Sequence, residues 1–241
     1  MRKIAIFTEG QSELIFVRDL LFKTIDNSKL SFLCQKLYSD KEISTPFDYT
    51  SPEPKVFFLI VNVQNDERLM SAIKEREKKF IDDGYEQIIG LRDMYSEAYD
   101  KLSPGTINNT ITNQFIKGHN ATIQTMNHPS KIFIYFSIME LEAWLLGMYG
   151  LFQKLNPTLT VEFVTEKLHY NLKEIDPQKI FFKPSNEIDK IFSLCKMHYN
   201  KKRSDIEKVV ALIDTSDYAA IMQNKRCSSF TTFYQKIKTF K

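Results

Sequence analysis

The residues in this sequence that could do chemistry are acids: Glu9, Asp66, Asp93 and the closely spaced pair Glu140 and Glu142. Each follows a short apolar run, namely KIAIF from Lys3, KVFFLIVNV from Lys55, QIIGL from Gln87 and KIFIYFS from Lys131. Carboxylates gathered at one place repel, and a hard, oxygen-seeking cation such as Mg²⁺ relieves that repulsion while keeping waters for reaction. One or two such ions orient an attacking water and stabilise the leaving oxygen in phosphodiester cleavage. The competing reading of each acid is plain: a carboxylate in a first helical turn caps the helix or complements its dipole. Other chemistries find no support. The seven glycines form neither GxxxxGK[ST] nor GxGxxG, so neither a P-loop nor a dinucleotide fingerprint is present. His119, His128, His169 and His198 are scattered without HExxH spacing, and no GxSxG elbow occurs.

The elements that must position these acids follow from periodicity. Met1 to Leu21 reads as a strand running through an acidic-glycine turn, where Gly10 relaxes the bend, into a helix with Leu14, Ile15, Val17, Leu20 and Leu21 at helical spacing. Asp26 to Pro54 reads as an irregular, proline-bearing excursion with an amphipathic piece near Leu30 to Tyr38. Lys55 to Val63 is apolar enough for a strand covered on both faces, followed by a helix from Arg68 to Phe80. Gln87 to Leu91 and Lys131 to Ser137 give a third and a fourth strand, with a helix over Thr106 to Lys117 between them. Ile138 to Met148 reads as a helix, on which Glu140 and Glu142 would point about 200° apart, so at most one of them should face a common pocket unless the first turn is irregular. From about Leu151 helices dominate: Val161–Leu172, Asn186–Tyr199, Ser204–Ile213, Asp217–Met222 and Ser229–Phe240. The expected architecture is α/β: a mainly parallel four-stranded, Rossmann-like sheet flanked by helices over residues 1–150, then a helical portion over 151–241. In such sheets ligands bind outside the carboxyl ends of the strands, where the acids fall.

A chain of 241 residues can bury a full core, and its net charge of +3 makes no electrostatic case for nucleic acid by itself. Any basic face must be local. Two clusters qualify, Lys201, Lys202 and Arg203 in HYNKKRSD, and Lys225 and Arg226 followed by Lys236 and Lys238, with Tyr199, Phe230, Phe233 and Tyr234 nearby. Such clusters are either solvated faces or phosphate contacts. Cys34, Cys195 and Cys227 are odd in number and lack metal-ligand spacing, which suits a reducing cytoplasm. No charged-then-apolar leader and no run of eighteen apolar residues is present, so neither secretion nor membrane spanning is expected. The apolar residues of the C-terminal helices cover either their own core or a second copy, which leaves a homo-oligomer open.

TEGQSE at Thr8 to Glu13 resembles the first motif of the toprim fold, and LRDMY at Leu91 to Tyr95 resembles its aspartate motif, with Tyr95 where the common pattern has a second aspartate. The sequence is more similar to an uncharacterised bacterial toprim-like family with EGxxE, Asp-x-Tyr and a glutamate-rich third motif. MELEAWLL at Met139 to Leu146 is similar to that third motif, and KRCSSFTTF at Lys225 to Phe233 to the family's C-terminal signature. The resemblance implies a Mg²⁺- or Mn²⁺-dependent nuclease related to the overcoming-lysogenization-defect class, the effector of a phage-defence system with an AAA or ABC-type ATPase partner. By motif position it implies Glu9 as metal ligand or general acid/base, Asp93 as metal ligand, and Glu140 or Glu142 as supporting acid. Glu13, one turn beyond Glu9, would help hold the metal or a second ion, and Tyr95 would bind a phosphate oxygen or pack. Two readings follow: a nuclease acting on DNA or RNA, tRNA included, or a non-catalytic toprim-like module that binds a partner ATPase or nucleic acid.

Overall fold

A computed structural model describes residues 1–38, 41–64 and 68–241, so Asp66 lies outside the described residues. In chain order these form β1 (Arg2–Thr8), α1 (Gln11–Thr24), β2 (Leu30–Tyr38), β3 (Lys41–Ser44), β4 (Tyr49–Thr50), β5 (Val56–Asn62), α2 (Arg68–Asp82) and β6 (Gln87–Asp93). There follow α3 (Glu97–Leu102), α4 (Asn109–Gln124), β7 (Ile132–Ser137), α5 (Glu142–Gly147), α6 (Gly150–Leu155), α7 (Val161–Leu168) and α8 (Pro177–Ile180). The chain ends in α9 (Pro184–Ser193), α10 (Arg203–Ala211), α11 (Thr215–Gln223) and α12 (Ser228–Lys238). It divides into two compact units. The first comprises Met1–Arg92, Asn109–Phe136 and Lys236–Lys241, the second Asp93–Asn108 and Ser137–Gln235.

The first unit is built on a mixed, mostly parallel sheet in the order β3-β2-β5-β1-β6-β7, with β4 paired to β2. β5 and β6 flank β1 and run parallel to it, with Thr8 opposite Asn62 on one side and Leu91 on the other. The sheet has seven strands among the described residues rather than the four expected. The added ones lie in the segment read as irregular. β2 runs parallel to β5 from Leu30 opposite Val56 to Lys36 opposite Asn62, while β3 and β4 pair with β2 antiparallel. Alternation along β1 sends Ala5 and Phe7 to one face of the sheet. There they join Leu59, Val61, Ile88 and Ile132 in a core closed by Leu69, Ile73 and Phe80 of α2 and Ile123 of α4. α1 buries Leu14, Ile15, Phe16, Val17, Leu20 and Leu21. Covered on both sides, β1 and β5 read as unbroken apolar runs. Gly90 lets these side chains close in, because a Cβ there would sit 2.5 Å from Ile134 Cδ1 and 2.9 Å from Leu69 Cδ2 and push them aside. The buried Glu77 carboxylate of α2 fastens the turn after α4, accepting from Asn127 N at 2.6 Å, Asn127 Nδ2 at 2.7 Å and His128 N at 3.1 Å.

The second unit is helical and centres on Trp144. Its ring packs on Phe230 and Phe233 at 5.5 and 5.7 Å, and its Nε1 donates to Ser229 Oγ at 2.8 Å. Cys227 Sγ donates to Ala143 O. The glutamate-rich motif and the C-terminal KRCSSFTTF stretch are therefore packing partners, which gives the second a structural role. α5 also approaches α11 closely at Gly147, where a Cβ would lie 2.7 Å from Ile221 Cδ1 and 2.8 Å from Cys227 Sγ.

Candidate acidic site

In the first unit, β1 ends at Thr8 and delivers Glu9, whose backbone N–H bonds Leu91 O at 3.2 Å. α1 follows at once with Gly10 as its N-cap residue, and no side chain caps this end. Gly10 is extended, at φ −140°, a backbone that any residue can adopt. What it provides is room: a Cβ there would stand 2.9 Å from the Glu13 carboxylate, which is buried in the first turn of α1. Arg92 Nε lies 4.0 Å from Glu9 Oε2, the long limit of an ion pair. Arg92 is buried and oriented from α4, its Nη1 lying 2.9 Å from His119 Nε2. A guanidinium only donates, so His119 accepts on Nε2, and its protonated Nδ1 donates to Phe115 O at 2.8 Å. Burial, with the Arg92 charge adding to it, pushes the His119 pKa down against the Phe115 bond, so the ring stays neutral and keeps this geometry. The sequence reading passed over Arg92; its only signal was a cation directly before a strand-end aspartate.

In the second unit Asp93 is buried and already engaged. Its Oδ1 accepts from Ser137 Oγ at 2.5 Å and from Leu141 N at 2.9 Å. Met94 N bonds Ser137 O and Tyr95 N bonds Met139 O, so the segment after β6 is stitched to the segment after β7. Tyr95 packs, edge-on to Phe182 at 5.6 Å and beneath Lys183 Nζ at 5.5 Å. Met139 turns the chain at φ +63°, and the helix starts only at Glu142, so Glu140 precedes α5 instead of riding on it. That irregular start removes the 200° divergence. Lys201 Nζ lies 3.2 Å from Glu140 Oε1 and 3.2 Å from Glu142 Oε2.

The remaining oxygens are also taken. Glu140 Oε2 accepts from Ser185 N at 2.9 Å, and Glu142 Oε1 from Tyr199 OH at 2.8 Å. Glu142 is fully buried, and that burial pushes its pKa up; Lys201 and Tyr199 pull it down while Glu140 adds to the rise. The loop carrying Lys201 is itself fastened: Tyr199 N donates to Asp189 Oδ1, and Asn200 N to Asp205 Oδ2, both at 2.8 Å. Of the other basic residues singled out, Lys202 and Arg203 sit at the exposed start of α10, with Arg203 paired to Glu207 at 2.9 Å. Lys225 is exposed, whereas Arg226 is only 4% exposed, donates to Leu172 O and lies over the Tyr149 ring at 4.9 Å. Arg226 therefore faces inward.

The donor chemistry of a divalent cation is met unevenly by these residues. Glu9 and Asp93 offer the hard carboxylate oxygens that Mg²⁺ prefers. Glu142 does not fit, since it is sealed from solvent and neutralised by Lys201, and Glu140 shares that ammonium. Among the described residues no three or more His, Cys, Asp or Glu side chains are gathered closely enough to hold an ion. Thiol chemistry finds no nucleophile in the buried cysteines: burial pushes Cys34 up to about 12 and raises Cys227 as well. No helix among the described residues is long and apolar enough to cross a membrane. Comparison with family models, with curated proteins and with solved structures returns no match.

Proposed function

We propose that the protein is a metal-dependent phosphodiesterase acting on DNA or RNA, tRNA included, with the toprim-like motifs as its machinery. The observation that carries this reading is that β1, β6 and β7, three consecutive strands in the sheet order, each lead into an acid: Glu9, Asp93 and Glu140. The carboxyl ends of such strands are where α/β sheets do their chemistry. By motif position Glu9, with Glu13 supporting it, and Asp93 would each serve as a ligand to Mg²⁺ or Mn²⁺. The ion supplies charge neutralisation at phosphate and an activated water. Arg92 holds a fixed positive charge next to Glu9, suited to a phosphate oxygen. Asp93 positions the turn at Leu141 that precedes α5, and Lys201 pairs with Glu140 and Glu142 on either side of Leu141. The resemblance supports a role as effector of a phage-defence system alongside an AAA or ABC-type ATPase.

Plasmid DNA and total tRNA incubated with Mg²⁺ or Mn²⁺, with and without an ATPase encoded beside it, test the reading. Glu9→Gln and Asp93→Asn should each lower cleavage by about 100-fold or more, as removal of a catalytic acid or base does. Asparagine is chosen at 93 because it can still accept from Leu141 N and Ser137 Oγ, so the fold survives. Undiminished cleavage in both variants would overturn the assignment. A second reading, a non-catalytic module binding a partner ATPase or nucleic acid, is favoured by the Lys201 ammonium already neutralising Glu140 and Glu142. It predicts no cleavage and no rise in Tm with Mn²⁺, whereas a metal site raises Tm by mass action.

A further inference from the structure

β6 brings Arg92 into the first unit with 7% of its surface exposed, and a buried guanidinium must find acceptors for its rigid fork of N–H donors. Nη1 meets a ring and not a carboxylate: His119 Nε2 lies 2.9 Å away. That ring is itself fixed on two sides. Its Nδ1 donates to Phe115 O at 2.8 Å, one turn back on α4, and the Phe136 ring of β7 meets it edge-on at 5.1 Å and 90°.

The type of partner decides what becomes of the charge. A carboxylate in the place of His119 would hold Arg92 at least as firmly but would cancel its charge. A neutral imidazole accepts one N–H bond and leaves the whole guanidinium charge to act on whatever stands beside Nε. Glu9 stands there, with Oε2 4.0 Å from Nε and so beyond hydrogen-bond distance. Arg92 is thus anchored through Nη1 with its charge kept at the acid, the arrangement of a preorganised cation whose strength is realised when negative charge builds up next to it.

We infer that His119 is a positioning residue of this site: its neutral ring holds the Arg92 guanidinium beside Glu9 without cancelling its charge, so that Arg92 stabilises the charge developing on phosphate as the phosphodiester bond breaks. This role rests on the reading of Glu9 as an acid of a phosphodiesterase. Steady-state cleavage of plasmid DNA and total tRNA in Mg²⁺ or Mn²⁺, with Tm measured alongside, tests it in three variants. His119→Gln keeps a neutral acceptor and should retain kcat within roughly threefold, whereas His119→Leu, which removes the acceptor, and His119→Glu, which keeps it but neutralises Arg92, should each lower kcat by roughly tenfold or more with KM little changed. His119→Glu separates positioning from mere packing. A purely structural contact is served by a carboxylate as well as by an amide, so His119→Glu as active as His119→Gln would overturn the role. Loss of kcat in His119→Gln equal to that in His119→Leu would overturn it as well, and if His119→Leu fails to fold, the comparison of glutamine with glutamate decides alone. Cleavage abolished by Glu9→Gln but unchanged in His119→Leu would overturn the role of His119 and leave the reading of the acids standing; no cleavage by the wild type would overturn both.

Discussion

At the scale of single residues, Lys201 and Glu142 show why acids counted along a sequence are not equivalent. Glu142 has no exposed surface, and taking a carboxylate out of water is tolerable only because an ammonium and a phenol meet it. Replacing Lys201 by methionine keeps the aliphatic stem and removes the charge. Breaking a buried pair costs roughly 3–5 kcal/mol, less here because the Lys201 head is about a third exposed, so about 2 kcal/mol at pH 8 is expected. The sign with pH follows from the raised Glu142 pKa. The native state then holds its proton more tightly than the unfolded state, so stability is retained below the ordinary value of 4.5 and lost as pH rises through the raised one. The Lys201→Met deficit, measured by urea unfolding, should therefore grow from pH 4.5 to pH 8, and adding Glu142→Gln should recover most of it at pH 8. A deficit independent of pH would mean that Lys201 contributes through packing alone.

At the scale of elements, β1, β5 and β6 were legible because strands covered on both faces leave continuous apolar runs, and half-buried β7 because its residues are β-branched and aromatic. β2 was not legible as a strand. Its LSFLCQKLY lacks strict alternation, its neighbours β3 and β4 are polar and broken by proline, and its main partner β5 lies more than twenty residues away. Nonlocal pairing leaves no local signature. The start of α5 was misplaced for a different reason: apolar spacing sees Ile138 to Met148 as one helix, but Met139 adopts a left-handed backbone and Asp93 captures Leu141 N, so regular helix begins at Glu142. Gly147 gives an element-level test. Alanine favours helix over glycine by about 1 kcal/mol, yet here its Cβ would meet Ile221 and Cys227 inside van der Waals contact. Gly147→Ala should thus lower stability by about 1–3 kcal/mol by chemical denaturation, and a stabilised variant would show that α5 and α11 have room to part.

At the scale of the whole molecule, the chain passes between its two compact units four times, so residues adjacent in sequence, such as Arg92 and Asp93, belong to different units. A single change in composition near Leu151 carries no information about such interleaving, because contact between distant segments defines a unit and sequence order does not. Net charge is equally blunt. A formal +3 conceals that two residues of the basic clusters are spent internally, Lys201 on Glu140 and Glu142 and Arg226 on Leu172 O. Lys202, Arg203 and Lys225 lie on the outside, and if these three contact phosphate the slope of log affinity against log salt should be about −2.7 on duplex or −2.1 on single strands. The Lys202→Ala, Arg203→Ala, Lys225→Ala variant should remove most of that slope in a fluorescence-anisotropy titration over roughly 50 to 200 mM salt. Arg226→Ala should leave the slope alone and lower Tm, since it empties a buried position over Tyr149. The opposite pattern, a slope lost with Arg226 and kept without the other three, would mean that the C-terminal stretch opens when nucleic acid binds.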